Sequence, residues 1–216
     1  MSEERVKAAI LISGSGTNLQ AFIDRQAAGR LAFDIAVVFS NRADAFGLSR
    51  ADKAGVPSRT LAHTTFDSRE AFDRAVAAEL APFEPDLLIL AGFMRILSPW
   101  FVRRYEGRIL NIHPALLPLY PGLDTHRRVL EAGDRQHGST VHFVTEELDG
   151  GPPVLAGRIS VRPDDTPETL MTRIQSVEHE IYPEAADWFA EGRLTCADGL
   201  ARLDGKPLNG PVVRDF

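Results

Sequence analysis

Two hydrophobic periods alternate along the first half of the chain, and this alternation restricts the fold more than any other feature. Short apolar runs of strand length, VKAAILI (6–12), FDIAVVFS (33–40), DLLILAG (86–92) and RILNIH (108–113), are separated by segments with helical spacing. From Asn18 to Gly29 the spacing puts Leu19, Phe22 and Ile23 on one face and ends at a glycine; AFGLSRADKAG (45–55) closes the same way. Asp67 and Glu70 form a capping-box pattern ahead of a helix over about 68–81. Ser98-Pro99 reads as an N-cap followed by an N1 proline. Strands and helices alternating in this way predict an α/β fold, a parallel sheet with helices on both faces.

The second half changes character. THRRVLEAG (125–133) reads as a helix, and STVHFVTEELDGG (139–151) and VLAGRISV (154–161) as long antiparallel strands around an acidic Gly-Gly turn. Residues 167–192 form one long helix with Leu170, Ile174, Val177, Ile181 and Phe189 on its apolar stripe and Pro183 as a candidate kink. GLARLDGKPLNG predicts a small terminal hairpin around Asp204-Gly205. One compact domain is the simplest organisation.

Composition narrows the function classes. A net charge of −6 makes a generic nucleic-acid binder a poor fit. Small anionic ligands stay open, because local arginines or a helix N-terminus can hold them. One cysteine excludes an internal disulfide framework and a multi-cysteine zinc site. The start, MSEERVKAAILISG, places charges before a short run broken by Ser13-Gly14, so it reads as a first strand and not as a signal peptide. No run of 18 apolar residues exists to span a membrane. The expectation is a soluble cytoplasmic enzyme.

Four segments could carry chemistry. Ser13-Gly14-Ser15-Gly16-Thr17-Asn18 joins the first strand to the first helix, where a doubly wound sheet faces its ligand crevice. It is neither a Walker motif nor G-x-G-x-x-G, because Leu19 occupies the third glycine position; a single phosphate suits it better than a dinucleotide, and an ordinary glycine-rich turn is the alternative. Asn111 and His113 share one face of a strand that Pro114 ends. An amide donor beside an imidazole suits a developing oxyanion, or is simply a bonded pair at a strand end. Asp149, in a run of acids before Gly150-Gly151, is either a solvated loop carboxylate or part of a flexible ligand-gating loop. Gly92 to Leu97 is apolar for a loop, so it is core or the wall of a flat pocket whose backbone bonds a heterocycle. His63, His126, His137, His142 and His179 make no HExxH-like pattern, and no metal is expected.

Taken in order, ISGSGTNLQ, VFSNRADAFGL, FDSREAF, LAGFMRILSP, LNIHPALLPLYPGL, HGSTVHFVTEELDGGP and QSVEHEIYP resemble the folate-dependent phosphoribosylglycinamide formyltransferases, the glycinamide ribonucleotide transformylases of purine biosynthesis. The matches run from residue 10 to about 193. The resemblance implies a Rossmann-like formyltransferase fold: a mostly parallel sheet flanked by helices with an antiparallel C-terminal portion. It implies one domain over 1–216, with a mononucleotide-binding half to about 105, a catalytic and folate-binding half over about 106–195, and a tail over 196–216. It implies 10-formyltetrahydrofolate as cosubstrate and 5-phosphoribosylglycinamide as acceptor, without metal, nicotinamide, nucleic acid or membrane, in a monomer or homodimer.

Residue by residue, Gly16, Thr17 and Asn18 match the phosphate loop of that family and Glu178 a glutamate at the ribonucleotide. Arg69 matches an arginine near the substrates, grouped with folate binding; Met94, Arg95, Ile96 and Leu97 match the segment whose backbone holds the pterin. Asn111, His113 and Asp149 match the catalytic trio. Asp124 stands where many members have histidine, two positions before His126. A formyltetrahydrofolate hydrolase of the same fold is the nearest rival, but such enzymes carry an N-terminal regulatory domain, and only five residues precede the first strand here. A methionyl-tRNA formyltransferase would need a C-terminal RNA-binding domain and a basic surface. A non-catalytic mononucleotide-binding module would make the trio a coincidence.

Overall fold

The computed structural model describes residues 5–216; residues 1–4, the charged start of the chain, lie outside the described residues. Among the described residues two compact units are evident, one up to Leu110 and one from Asn111 to Phe216.

The first unit is built on β1 (Val6–Ile12), whose Ala8 to Ile12 are fully buried. A strand covered on both faces is apolar without alternation, which is why VKAAILI has no polar face. α1 (Thr17–Ala27) follows, with Leu19, Phe22 and Ile23 buried and Phe22 tilted against Phe33 of β2 (Phe33–Ser40). Next come α2 (Phe46–Lys53), the three-residue strand β3 (Ser58–Thr60), α3 (Arg69–Leu80), β4 (Leu87–Leu90) and α4 (Pro99–Arg104). The strand order is β4-β1-β2-β3 and every pairing is parallel. Ser98 caps α4 as expected, its Oγ accepting from Phe101 N, with Pro99 at the first helical position. The expected Asp67–Glu70 box is corrected: Ser68 is the N-cap, accepting from Ala71 N at 3.0 Å, and Glu70 pairs with Arg74 along the helix. The shorter serine side chain closes the turn one residue later than the acidic pattern suggests. β3, exposed at all three positions, has no hydrophobic pattern to announce it.

β5 (Ile109–His113) carries the chain into the second unit, which holds α5 (Thr125–Ala132), β6 (Gln136–Phe143), β7 (Pro153–Ser160) and α6 (Pro167–Ala190). β6 and β7 are antiparallel as read, but β6 begins at Gln136 and stops at Phe143. The acidic stretch expected to continue the strand to 151 is a loop. α6 lies tightly on β7, because Gly157 leaves room for Val177: a Cβ there would sit 2.1 Å from its Cγ1. Thr166 and Thr169 form a reciprocal capping box at its start, and Pro183 is accommodated inside the helix. The tail is more than the expected hairpin. β8 (Leu194–Ala197), β9 (Leu200–Leu203) and β10 (Lys206–Pro207) make a small antiparallel sheet, and β11 (Val212–Asp215) returns to pair in parallel with β7. The Arg158–Asp215 ion pair, with Arg158 Nε 2.7 Å from Asp215 Oδ1, clips that last strand down. It joins residues 57 apart in sequence, so no local pattern foretells it.

Candidate active site

In the first unit, β1 is followed by Ser13, a hub of three bonds. Its N–H donates to Gly92 O, its hydroxyl donates to Asn41 Oδ1 at 2.6 Å, and the same oxygen accepts from Met94 N at 2.8 Å. The glycine-rich turn after it delivers Gly16 to the N-cap of α1 in the left-handed region, φ 69°, where a side chain is strained. A Cβ on Gly16 would also meet Gly47 Cα at 2.8 Å. Arg50 of α2 braces the turn from below, donating to Ser15 O at 2.8 Å and Gln20 Oε1 at 2.9 Å. Thr17 and Asn18 open the helix behind, so Gly16, Thr17 and Asn18 form one helix N-terminus, a place suited to an anion.

The segment after β4 alternates. Phe93 and Leu97 are buried, whereas Met94 and Ile96 are 69% and 53% exposed. Apolar side chains this exposed are not part of the core. Asp73 of α3 anchors the segment from behind, its buried carboxylate accepting from Ser98 N at 2.5 Å. Burial pushes the Asp73 pKa up, opposed by the Ser98 bonds and the charges of Arg69 and Arg95. Arg69 and Arg95, matched to folate binding, thus converge electrostatically on one carboxylate.

In the second unit, β5 ends with Asn111 half-buried and His113 buried. His113 Nε2 lies 2.8 Å from Tyr120 O, and a carbonyl only accepts, so this nitrogen carries a proton. Its Nδ1 faces Asp149 Oδ2 at 3.5 Å. Gly122 N donates to the same carboxylate oxygen at 2.9 Å, so Asp149 is docked on the proline-rich segment and is not a solvated loop acid. The loop can turn this way because Gly151 passes the strand end closely: a Cβ there would lie 1.8 Å from Phe143 O. Asn111 Nδ2 is 3.0 Å from His142 Nε2, which is 3.9 Å from Asp149 Oδ1. Glu178 of α6 reaches Ser139 Oγ at 2.9 Å, and Ser139 also bonds His113 O at 2.7 Å. Asp124 turns outward, pairing with Arg127 at 2.8 Å.

Asn111, His113, Asp149 and Glu178 therefore belong to one connected cluster. Reading the sequence missed Asp73 and Ser139; it held Ser13 only as the start of the glycine-rich turn and His142 only among histidines without a metal pattern. For β6 a signal existed: the strand is buried at every position after the first yet carries His137, Ser139, Thr140 and His142. Buried polar groups need partners, and those of Ser139 and His142 lie in this cluster. Among the described residues, no group of three or more His, Cys, Asp or Glu is arranged to hold a metal ion. No helix among them is long and apolar enough to cross a membrane.

His126 of α5 and His137 of β6 meet at 2.9 Å, Nδ1 to Nε2, an arrangement that accommodates one shared proton. Burial lowers both pKa values, that of His137 to about 4; each is lowered further by His113, and His137 also by His126, while Asp134 opposes for His137. An unfolded histidine binds its proton as pH falls through about 6.5, while folded His137 stays neutral until about 4. Stability is therefore complete above about 6.5 and is lost between there and about 4, up to about 3 kcal/mol from His137. Urea unfolding across this window should show that loss, and His137→Gln should flatten it. An unchanged slope in the variant would count against the pair.

These features define a formyl transferase: the family profile of that description matches residues 6–186, and the chain belongs to the family. It is 53% identical over 199 residues to the phosphoribosylglycinamide formyltransferase of Escherichia coli, covering 92% of this chain and 94% of that one. The structure of the phosphoribosylglycinamide formyltransferase from Coxiella burnetii superposes with a TM-score of 0.92 at 48% identity, covering 98% of this chain and all of that one. A formyltetrahydrofolate deformylase from Pseudomonas syringae is more distant, at 26% identity and a TM-score of 0.86, and this chain covers 67% of it.

Proposed function

We propose that this chain transfers the formyl group of 10-formyltetrahydrofolate to the glycine amine of 5-phosphoribosylglycinamide, a step of purine biosynthesis. The observation that carries the reading is the meeting of Asn111, His113 and Asp149 in one cluster. Near-full-length identity to enzymes named for this activity supports it. Gly16, Thr17 and Asn18 take the ribonucleotide phosphate and Glu178 another part of that substrate. Arg69 and the Met94–Leu97 wall take the folate, a cosubstrate.

The neutral amine attacks the formyl carbon, and its electron pair makes the new C–N bond while the carbonyl pair moves to oxygen. Asn111 Nδ2–H and His113 Nε2–H stabilise that oxyanion. Tyr120 O holds the His113 Nε2 proton in this structure, so the oxyanion replaces that carbonyl as acceptor. Asp149 faces the other ring nitrogen at 3.5 Å and orients the ring toward the reacting oxygen. A proton then leaves the former amine, relayed through Asp149 and water to the departing folate nitrogen; the oxyanion pair re-forms the carbonyl, and the C–N bond to folate breaks with its pair left on that nitrogen.

The test is a formyl-transfer assay with three acceptors: 5-phosphoribosylglycinamide, water and methionyl-tRNA. Turnover should depend on the ribonucleotide. Equal folate consumption with water alone would make the chain a hydrolase, and formylation of the tRNA would overturn the acceptor assignment.

A further inference from the structure

We propose that His142 is a positioning residue that sets the orientation of the Asn111 amide through a fixed imidazole tautomer. The inference rests on the reading of Asn111 as the amide that meets the oxyanion. His142 is 1% exposed on β6, and its two ring nitrogens face different partners. Nδ1 lies 2.9 Å from Phe143 O. A carbonyl oxygen can only accept, so the proton of the neutral ring sits on Nδ1, and Nε2 presents a lone pair. Asn111 stands 3.0 Å from that lone pair. Only an N–H is attracted there, so the amide must turn its Nδ2 toward His142. One N–H is spent on the ring and the second stays available as a donor.

The alternative orientation shows what the ring prevents. Rotating the amide by half a turn would set Oδ1 against the Nε2 lone pair, two acceptors facing each other. Without His142, nothing in this contact distinguishes the two orientations. An amide presenting Oδ1 to a developing oxyanion repels it. Burial, the largest influence on this ring, lowers the His142 pKa and keeps it neutral; the Phe143 carbonyl and Asp149 act against this, and His113 acts with it. Phe143 O thus sets the tautomer, the tautomer sets the amide, and the amide offers the donor.

Two measurements test this on the intact protein. Nitrogen–proton correlation spectra of the histidine rings at neutral pH should show His142 as the Nδ1–H tautomer. An Nε2–H tautomer or a charged ring would overturn the inference whatever the kinetics show. Kinetically, His142→Met should lower kcat about tenfold or more, short of the 10²–10³ expected for a deleted donor, with KM for both substrates little changed. His142→Gln places an amide oxygen near the Nε2 position and should recover most of that loss. In an Asn111→Ala background, His142→Met should have no further effect, because the group it positions is gone. An equal loss in both backgrounds means a structural role and overturns the inference. Wild-type kcat in Asn111→Ala alone would instead remove the reading of Asn111, so the two failures are separable.

Discussion

His113→Ala will lower kcat by on the order of 10²–10³, the scale of a removed oxyanion donor. The ring is buried at the end of β5, with Tyr120 O on Nε2 and Asp149 on Nδ1, so its Nε2–H is held in a fixed direction. Asp149→Asn will also lower kcat strongly, with little change in either substrate's affinity, because it removes the carboxylate that faces His113 Nδ1 and relays the proton, and keeps the shape. Asp149 also accepts from Gly122 N, which an asparagine oxygen can still do, so the loop should stay docked. The two residues act as one unit, and the double variant His113→Ala/Asp149→Asn should be far less impaired than the product of the single defects. Steady-state kinetics on folded variants decides the matter. Multiplying defects would mean independent action, and wild-type turnover in Asp149→Asn would leave that residue a docking contact only.

Gly16→Val is expected to produce the second large effect, this time on stability and ribonucleotide affinity. A side chain at φ 69° costs about 1–2 kcal/mol. The contact of its Cβ with Gly47 Cα at 2.8 Å adds about 1–3 kcal/mol of overpacking, since backbone on both sides must move. The melting temperature should fall by roughly 5–15 °C. Calorimetry on protein still folded should find ribonucleotide binding weakened more than formyl-folate binding. Gly14→Ala, two residues earlier, is the control: its Cβ meets nothing within 4 Å, and stability should hardly change. Equal loss of both ligands in Gly16→Val would mean misfolding and not damage to a phosphate turn.

Much of this site was legible before the fold was seen, for reasons that differ by residue. Asn111 and His113 could be paired from sequence because side chains two apart on a strand share a face, and Pro114 marks where that strand ends. Gly16 could be placed at a helix entrance because a glycine-rich turn stood between an apolar run and a helical period. Asp149 could not be placed by local chemistry, since one acid among several in a loop has no period. Only the resemblance singled it out, and the docking to Gly122 and His113 gives the physical reason.

The chain by itself determined what depends on neighbours in sequence: the order of strands and helices, the buried character of β1 and β4, the Ser98-Pro99 cap and the glycine turn. Backbone sterics and hydrophobic period act over a few residues, so a linear reading captures them. Tertiary structure decided what depends on groups far apart in the chain. It turned Glu178 toward Ser139 and set His142 against Asn111, and it returned β11 to the edge of β7. It also ended β6 at Phe143, several residues before the acidic Gly-Gly turn. Hydrogen bonds and ion pairs between residues tens of positions apart exist only once packing brings them within about 3 Å, and nothing in the local sequence encodes that distance.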